Sequence, residues 1–326
     1  MDEARHPRDP CGLNVFSILF LNSYFTDANL CQTIACRMVS VTQKHGATDS
    51  AVIGYAALSI FLGPVFHRYQ DGEEFARLAV AVAEKHGFAA QKACTNFTAQ
   101  MALLWTQPIE VALSSLEDAI STARETGEVV YACYSLEHRI TDLMARGDRL
   151  GEVWLESVRA LEFVQRIKFR HVGDILSGIQ HFVQKLRGQA ADTALADEHA
   201  LEARLLEGGI AVVICFYWIL QIQLHVLLGN PETALECAEK AKPLLWSARC
   251  HIQFANYCFY RSLALAAVYR MTSYEKQAEI RSELAANVQA FGRWAESCPV
   301  TFSHRRLLVC GELARMEGRE IEAERL

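Results

Sequence analysis

The stretch Trp218–Ala241, WILQIQLHVLLGNPETALECAEKA, decides how the rest of the chain is read. Two segments with helical spacing flank Gly229-Asn230-Pro231. That triplet ends one helix and starts the next, because proline has no backbone N–H to donate and suits the first helical position. Trp218 is a large residue early in the first segment. Ala234 and Ala241 are small residues on the second, where the two helices must approach closely. A hairpin of this kind carries more apolar surface than it can bury alone, so it calls for neighbours of the same kind.

Working outward, the same pairing recurs. Ser50–Tyr69 is read with Glu73–Lys85 across Asp71-Gly72, and Ala90–Trp105 with Ile109–Glu125 across Pro108. Val129–Ala145 is read with Gly151–Ile167 across Gly147-Asp148. Gly209–Leu228 pairs with Pro231–Trp246, and Arg249–Tyr269 with Tyr274–Trp294 across Met271-Thr272-Ser273. The second helices recur at roughly 34–42 residues, the period of helix-turn-helix solenoids. Apolar residues fall at three- and four-residue spacing, as in Phe75, Leu78, Ala79, Val82 and Ala83, and period-two alternation is nearly absent. The expected fold is all-α: an alpha solenoid of degenerate tetratricopeptide (TPR)-like hairpins with essentially no strands. The degeneracy shows in Trp218–Ala241 itself. Gln221-Ile222 stands where the TPR pattern has Leu-Gly, His225 where it has Tyr, and Ala238 where it has Phe.

A further helix is expected over Val172–Arg187, followed by the small polar run Gly188–Thr193. This places a boundary near 188–198, between an N-terminal block over 1–188 and a C-terminal block over 198–326. At the end, Phe302–Met316 reads as a first helix and Glu320–Leu326 as a second one too short to complete a hairpin. An exposed apolar end is expected there, in a chain read as a segment of something longer.

Composition narrows the function. The 326 residues are 51% hydrophobic and carry a formal net charge of -6, with lysine and arginine scattered among acidic residues. Nucleic-acid binders show a basic stripe, so nucleic acid is discounted as a partner. The densest basic spot, His304-Arg305-Arg306, is read as a solvated helix start in preference to a phosphate contact. Ile210–Leu220 is unbroken apolar sequence but too short to span a bilayer, and a buried core helix is the favoured reading. Eleven cysteines occur without a C-x-x-C pair, which fits free thiols in a reducing cytoplasm.

The familiar catalytic signatures are missing. There is no phosphate-binding G-x-x-x-x-G-K-[ST], no H-E-x-x-H, no G-x-S-x-G and no kinase catalytic loop; His138-Arg139-Ile140 breaks the last pattern at its third residue. Glu137-His138 and Glu198-His199 are superficially like phospho-acceptor sites but lack specific flanks. Cys250-His251 with Cys258 offers three metal-ligand types and no fourth. Phe254, Tyr257, Phe259 and Tyr260 are either a ligand-stacking platform or helix packing, with packing favoured. No catalytic residue, cofactor or metal ligand is therefore assigned.

Several segments nevertheless resemble one family. They are Leu244-Leu245-Trp246-Ser247 with His251, Tyr260 to Ala267, Trp294 to Pro299 leading to Phe302-Ser303-His304, Gly127 to Ala132, and Leu186-Arg187-Gly188. Together they resemble the helical repeat region of large signalling proteins. In those proteins this region joins a serine/threonine-kinase-like domain and an AAA-type ATPase module to a GAF or PAS sensor and a histidine kinase. The resemblance implies a non-catalytic, cytoplasmic scaffold that acts through a protein partner or neighbouring domains. Three alternatives stand beside it. One is a ligand or peptide sensor with a pocket near Tyr257, Tyr260 and His251. The others are an unrecognised helical enzyme and a membrane-anchored protein resting on Ile210–Leu220.

Overall fold

Helical spacing becomes helix throughout the computed structural model, which describes residues 13–45, 48–188 and 194–326. Among the described residues there are seventeen α-helices and no strand. The chain divides into two compact units, one ending at Arg139 and one beginning at Ile140. The junction expected near 188–198 falls partly on 189–193, outside the described residues.

The first unit holds α1 (Leu13–Tyr24), α2 (Ala28–His45), α3 (Asp49–Leu62), α4 (Tyr69–His86), α5 (Ala89–Leu103), α6 (Ile109–Thr126) and the start of α7 (Val129–Arg146). From α1 to α6 each helix packs on the next, and α3 packs on α5 as well as α4. That pattern is what stacked hairpins produce. The core between α3 and α4 is made of small residues: Val52 and Ala56 meet Ala79 and Ala83, with Tyr55, Val82 and Phe88 around them. Ala76 turns to α5 and meets Ala99, Ala102 and Leu103. Alanine lets helix axes come close, so here the shortest side chains mark the core. The face expected from Phe75 and Leu78 is rotated by about one residue. Leu78 is 43% exposed and Phe75 packs its ring on Tyr55 at 6.0 Å between centroids.

Asp71-Gly72, expected as a turn, lies inside the first turn of α4; the hairpin turn is Gly63–Arg68. Gly72 has a packing role. A Cβ built there would lie 2.9 Å from the Ser59 carbonyl oxygen of α3. The real chain-reversal glycines are Gly87 and Gly127, with φ of +67° and +78°, which close α4 and α6.

The second unit continues with α8 (Leu150–Ile167), α9 (Arg170–Leu186), α10 (Ala194–Gly208), α11 (Ala211–Leu227), α12 (Pro231–Ala241), α13 (Leu245–Ala248), α14 (Ile252–Val268), α15 (Tyr274–Ser297), α16 (Pro299–Met316) and α17 (Glu320–Arg325). α11 is its hub, packing on α9, α12 and α14, while α14 packs on α12, α15 and α16. The Ile210–Leu220 run is the first half of α11, and Val212 to Ile219 are all buried. No helix among the described residues is long and apolar enough to cross a membrane. The helix expected to reach Trp246 stops at Ala241, where Lys242-Pro243-Leu244 tightens into a 3₁₀ turn. Proline cannot donate within a helix, which accounts for the stop. α16 begins at Pro299 in its first turn, three residues before the expected Phe302. α1, α2 and α10 complete the array and were not singled out by periodicity.

The Trp218–Ala241 hairpin forms as read. Ala234, Ala238 and Ala241 are fully buried, and the Lys240 ammonium sits 4.0 Å from the Trp218 ring centroid. At the end, Phe302 is fully buried, whereas Leu307, Leu308, Ile321 and Leu326 are exposed. The chain has an all-α, TPR-like helical-repeat fold.

Candidate functional site

Three helices of the second unit are joined by rings. Trp294 of α15 meets Phe254 of α14 at 6.2 Å, Phe291 at 5.0 Å and Phe302 of α16 at 5.7 Å, and Phe259 meets Phe291 at 6.2 Å. These tilted and edge-on contacts make a packed aromatic wall. They take Phe254 into packing, as the favoured reading of the aromatic patch had it. Phe259 and Tyr260 differ, because they also face an opening.

That opening is a cavity of about 280 Å³ between α9, α11, α14, α16 and the part of α7 from Thr141 onward. Its apolar side is built by Ile175 and Ile179 of α9 with Phe216, Ile219 and Leu220 of α11. Gln223 of α11 and Gln253 and Asn256 of α14 contribute amides. His304 and Arg305 of α16 complete the wall.

Arg305 is the unusual member. It is 7% exposed, although His304 and Arg306 on either side are exposed. The solvated helix start expected at 304–306 is thus true of its two flanks and not of Arg305. Because α16 begins at Pro299, residue 305 falls on its inward face with Phe302 and Val309, at three- and four-residue spacing. Arg305 Nη1 donates to Asn256 Oδ1 at 2.9 Å, and the guanidinium carbon lies 5.7 Å from the Phe259 ring centroid. Burial holds its pKa below the ordinary value, while the nearby Tyr260 hydroxyl acts in the other direction. A guanidinium remains charged regardless.

The other titratable groups of the wall are neutral or already compensated. Partial desolvation at the cavity rim, and then the charge of Arg305, hold the His304 imidazole below its ordinary value. Burial raises the Tyr260 hydroxyl. Arg146 is paired through two hydrogen bonds, at 2.7 and 2.6 Å, with Asp148. No aspartate or glutamate is among the lining residues. The cavity therefore presents one uncompensated positive charge beside amides and an apolar floor.

The other residues singled out in the sequence lie elsewhere. His251 is buried at the start of α14, 5.0 Å edge-on to Phe216, with its imidazole pulled down to about 3 by burial. Tyr257 is buried with the Arg261 guanidinium 6.0 Å from its ring. Of the expected pocket residues Tyr257, Tyr260 and His251, only Tyr260 lines the cavity. Glu137 and His138 are buried; His138 Nδ1 lies 2.9 Å from Gln100 Oε1, and its ring packs on Phe97. Glu198 lies against Lys185 and 3.4 Å from His181, while His199 is exposed. Among the described residues no group of three or more His, Cys, Asp and Glu side chains is arranged to hold a metal ion.

Sequence reasoning missed Asn256 and Gln253 and took Arg305, within His304-Arg305-Arg306, for a solvated residue. The phase of α16 puts Phe302, Arg305 and Val309 on one helical face, but no local pattern tells that buried face from the one carrying the exposed Leu307 and Leu308.

No protein-family model matches the chain, and no curated protein matches it. A solved structure does. It is a Rap protein complexed with Competence and Sporulation Factor, 9% identical, aligned over 96% of this chain and 97% of that one with a TM-score of 0.52. At this identity the likeness establishes the fold, a TPR-like helical repeat.

Proposed function

We propose that this chain is a non-catalytic helical-repeat regulator of a signal-transduction protein, acting through a protein partner or neighbouring domains. The observation that carries the reading is the near end-to-end likeness to a Rap protein solved with a separate factor bound. The family-like segments, among them Trp294 to Pro299 and Tyr260 to Ala267, support the connection to sensor-kinase and ATPase modules. Repeat blocks over 1–188 and 198–326 remain part of this reading, as does a cytoplasmic setting, which the ten free cysteines among the described residues support.

The test of the multidomain setting is the native size of the polypeptide in its source cells, by immunoblot with an antibody to this segment. A band far above 36.5 kDa is expected. A band near 36.5 kDa removes the covalent link to kinase and ATPase modules and leaves a free-standing regulator. Phosphotransfer or nucleotide hydrolysis by the purified chain, abolished by a substitution within it, overturns the non-catalytic reading altogether.

A second reading is favoured by one specific observation, the polar-rimmed cavity with its buried Arg305. In this reading the repeat array is a ligand sensor, and occupation of the cavity biases the packing of α11, α14 and α16. Thermal stabilisation of the purified chain by a ligand selective for the native state is its expected signature.

A further inference from the structure

We infer that the cavity of the second unit is a binding subsite for an organic carboxylate, held at its charged end by Arg305 and covered along its body by Phe216, Ile219 and Phe259. The inference rests on the ligand-sensing reading and specifies the chemistry of the ligand.

The argument turns on two arginines of the same unit. Arg261 and Arg305 are each 7% exposed. Arg261 is compensated twice, at 2.9 Å by Glu239 and at 2.5 Å by Glu283. Arg305 has one side-chain hydrogen bond, to the neutral Asn256, and no carboxylate partner among the described residues. Burying a charge without a counter-ion is costly, and proteins pair or neutralise such groups. Arginine does not neutralise itself by losing a proton, and the Asn256 amide and Phe259 ring carry no net charge, so only an anion would compensate it. The chain supplies that anion for Arg261. For Arg305 it leaves a cavity in its place.

The walls specify which anion. The planar guanidinium fork matches a carboxylate in a two-point contact. Only one uncompensated positive charge faces the cavity, which suits a monoanion better than a doubly charged phosphate. The apolar floor of Ile175, Ile179, Ile219 and Phe216 would stay uncovered under a bare inorganic ion. At about 280 Å³ the space lies near the lower end of ligand pockets. It fits a small acid or the last residue of a peptide, both of which present a carboxylate on a short apolar body. Gln223 and Gln253 add amides that can orient that body.

The experiment is calorimetric titration, with thermal shift in parallel, of the full purified chain. The probes are hexanoate, phenylacetate, a hydrophobic tripeptide with a free C-terminus, the amide of each, and inorganic phosphate. At least one carboxylate is expected to bind saturably, and its amide to bind about tenfold or more weakly. Binding by the free acids identifies a metabolite-like ligand, and binding by the tripeptide alone identifies a peptide terminus. Asn256→Asp places a carboxylate on the atom that now accepts from Arg305. This variant is expected to melt cooperatively at or above the wild-type temperature and to bind the same acid about tenfold or more weakly. Arg305→Lys keeps the charge, loses the fork, and is expected to weaken binding while retaining some preference for acid over amide.

Several results overturn the inference: no carboxylate binding, equal binding of acid and amide, phosphate as the sole ligand, or undiminished binding by a folded Asn256→Asp protein. Equal binding of acid and amide leaves ligand sensing standing and removes only the carboxylate. Binding of none of the probes removes both.

Discussion

The Glu73 carboxylate accepts from the Gln107 amide at 3.0 Å on each of its two oxygens, across 34 residues of sequence. Glu73 follows the first turn of α4 and Gln107 lies in the turn between α5 and α6, so the contact ties one hairpin to the turn of the next. Arg77 Nε adds a third bond, at 2.8 Å. Burial pushes the carboxyl pKa up, but the Thr106 hydroxyl, the Gln107 amide and Arg77 outweigh it and hold it below the ordinary value. Glu73→Gln is expected to destabilise the chain by about 1–2 kcal/mol at neutral pH, in denaturant titration. The folded-state pKa is depressed, so this contribution is complete above the ordinary carboxylate range and disappears as pH falls through the folded value. The difference between the two proteins should therefore close in acid.

A second acid-sensitive contact sits in the other unit. Desolvation disfavours the Glu198 carboxylate, but His181 and Lys185 together bring its pKa from 4.5 down to about 2. Its contribution is present above pH 4.5 and lost as pH falls toward 2. Glu198→Gln should lower the melting temperature of the second unit (Ile140–Leu326) at pH 7 by several degrees, about 2–4 °C per kcal/mol lost for a unit of this size. It should also flatten the acid limb of the stability curve. An unchanged acid limb would remove Glu198 from the account.

His251 titrates well below a surface histidine. Burial holds its pKa at about 3, so the folded protein keeps it neutral while the unfolded chain protonates it below about 6.5. The unfolded state then binds the extra proton, and stability declines as pH drops from about 6.5 toward 3. The NMR resonances of the His251 ring should stay unshifted between about pH 5 and 8, the range where an ordinary histidine titrates. Movement through a midpoint in that range would contradict its burial.

The cysteines give a chemical map. Burial raises Cys31, Cys215 and Cys258 to about 12, and Cys94, Cys133 and Cys237 to about 11. Thiolate is the reactive form, so these groups are unreactive in the folded state. Among the described cysteines, iodoacetamide followed by peptide mass spectrometry should label exposed Cys36 first and half-buried Cys310 more slowly. The other cysteines should label only on unfolding. Fast native labelling of Cys215 or Cys258 would show that α11 or α14 opens.

Gly72 tests the close approach of α3 and α4. An alanine Cβ would meet the Ser59 carbonyl oxygen at 2.9 Å, a backbone atom that cannot swing away. Gly72→Ala raises intrinsic helix propensity by up to about 1 kcal/mol. It should nevertheless destabilise by about 1–3 kcal/mol, because the clash forces the two helices apart. Gly151 is the control. Nothing lies within 4 Å of a Cβ there, so the same substitution in α8 should be neutral or stabilising.

The helical class, the hairpin rhythm and several turns were legible without a structure, because local chemistry sets them. Pro231 starts α12, and Met271-Thr272-Ser273 is a turn whose Ser273 caps α15 by accepting from the Lys276 amide; Pro299, read as a stop before Phe302, instead starts α16 itself. Each signal acts within about one turn of its own residue. Asp71-Gly72 looked identical to such a turn and was not one. What makes Gly72 necessary is Ser59 on another helix, which no local pattern contains.

Burial was only half legible for the same reason. The expected face rightly held Ala79 and Ala83, but the close approach of the helix axes adds Ala76 to it and leaves Leu78 exposed. The chain by itself determined that it would be helical, paired and free of familiar catalytic motifs, since periodicity and motif content are properties of consecutive residues. Only the tertiary structure decided that Arg305 would be buried between two exposed basic neighbours. It alone set Arg305 on neutral Asn256, 49 residues away, and opened a cavity beside it. Whether a charge is compensated depends on what distant segments bring to it. In this fold those segments bring carboxylates to Arg261 and, among the described residues, none to Arg305.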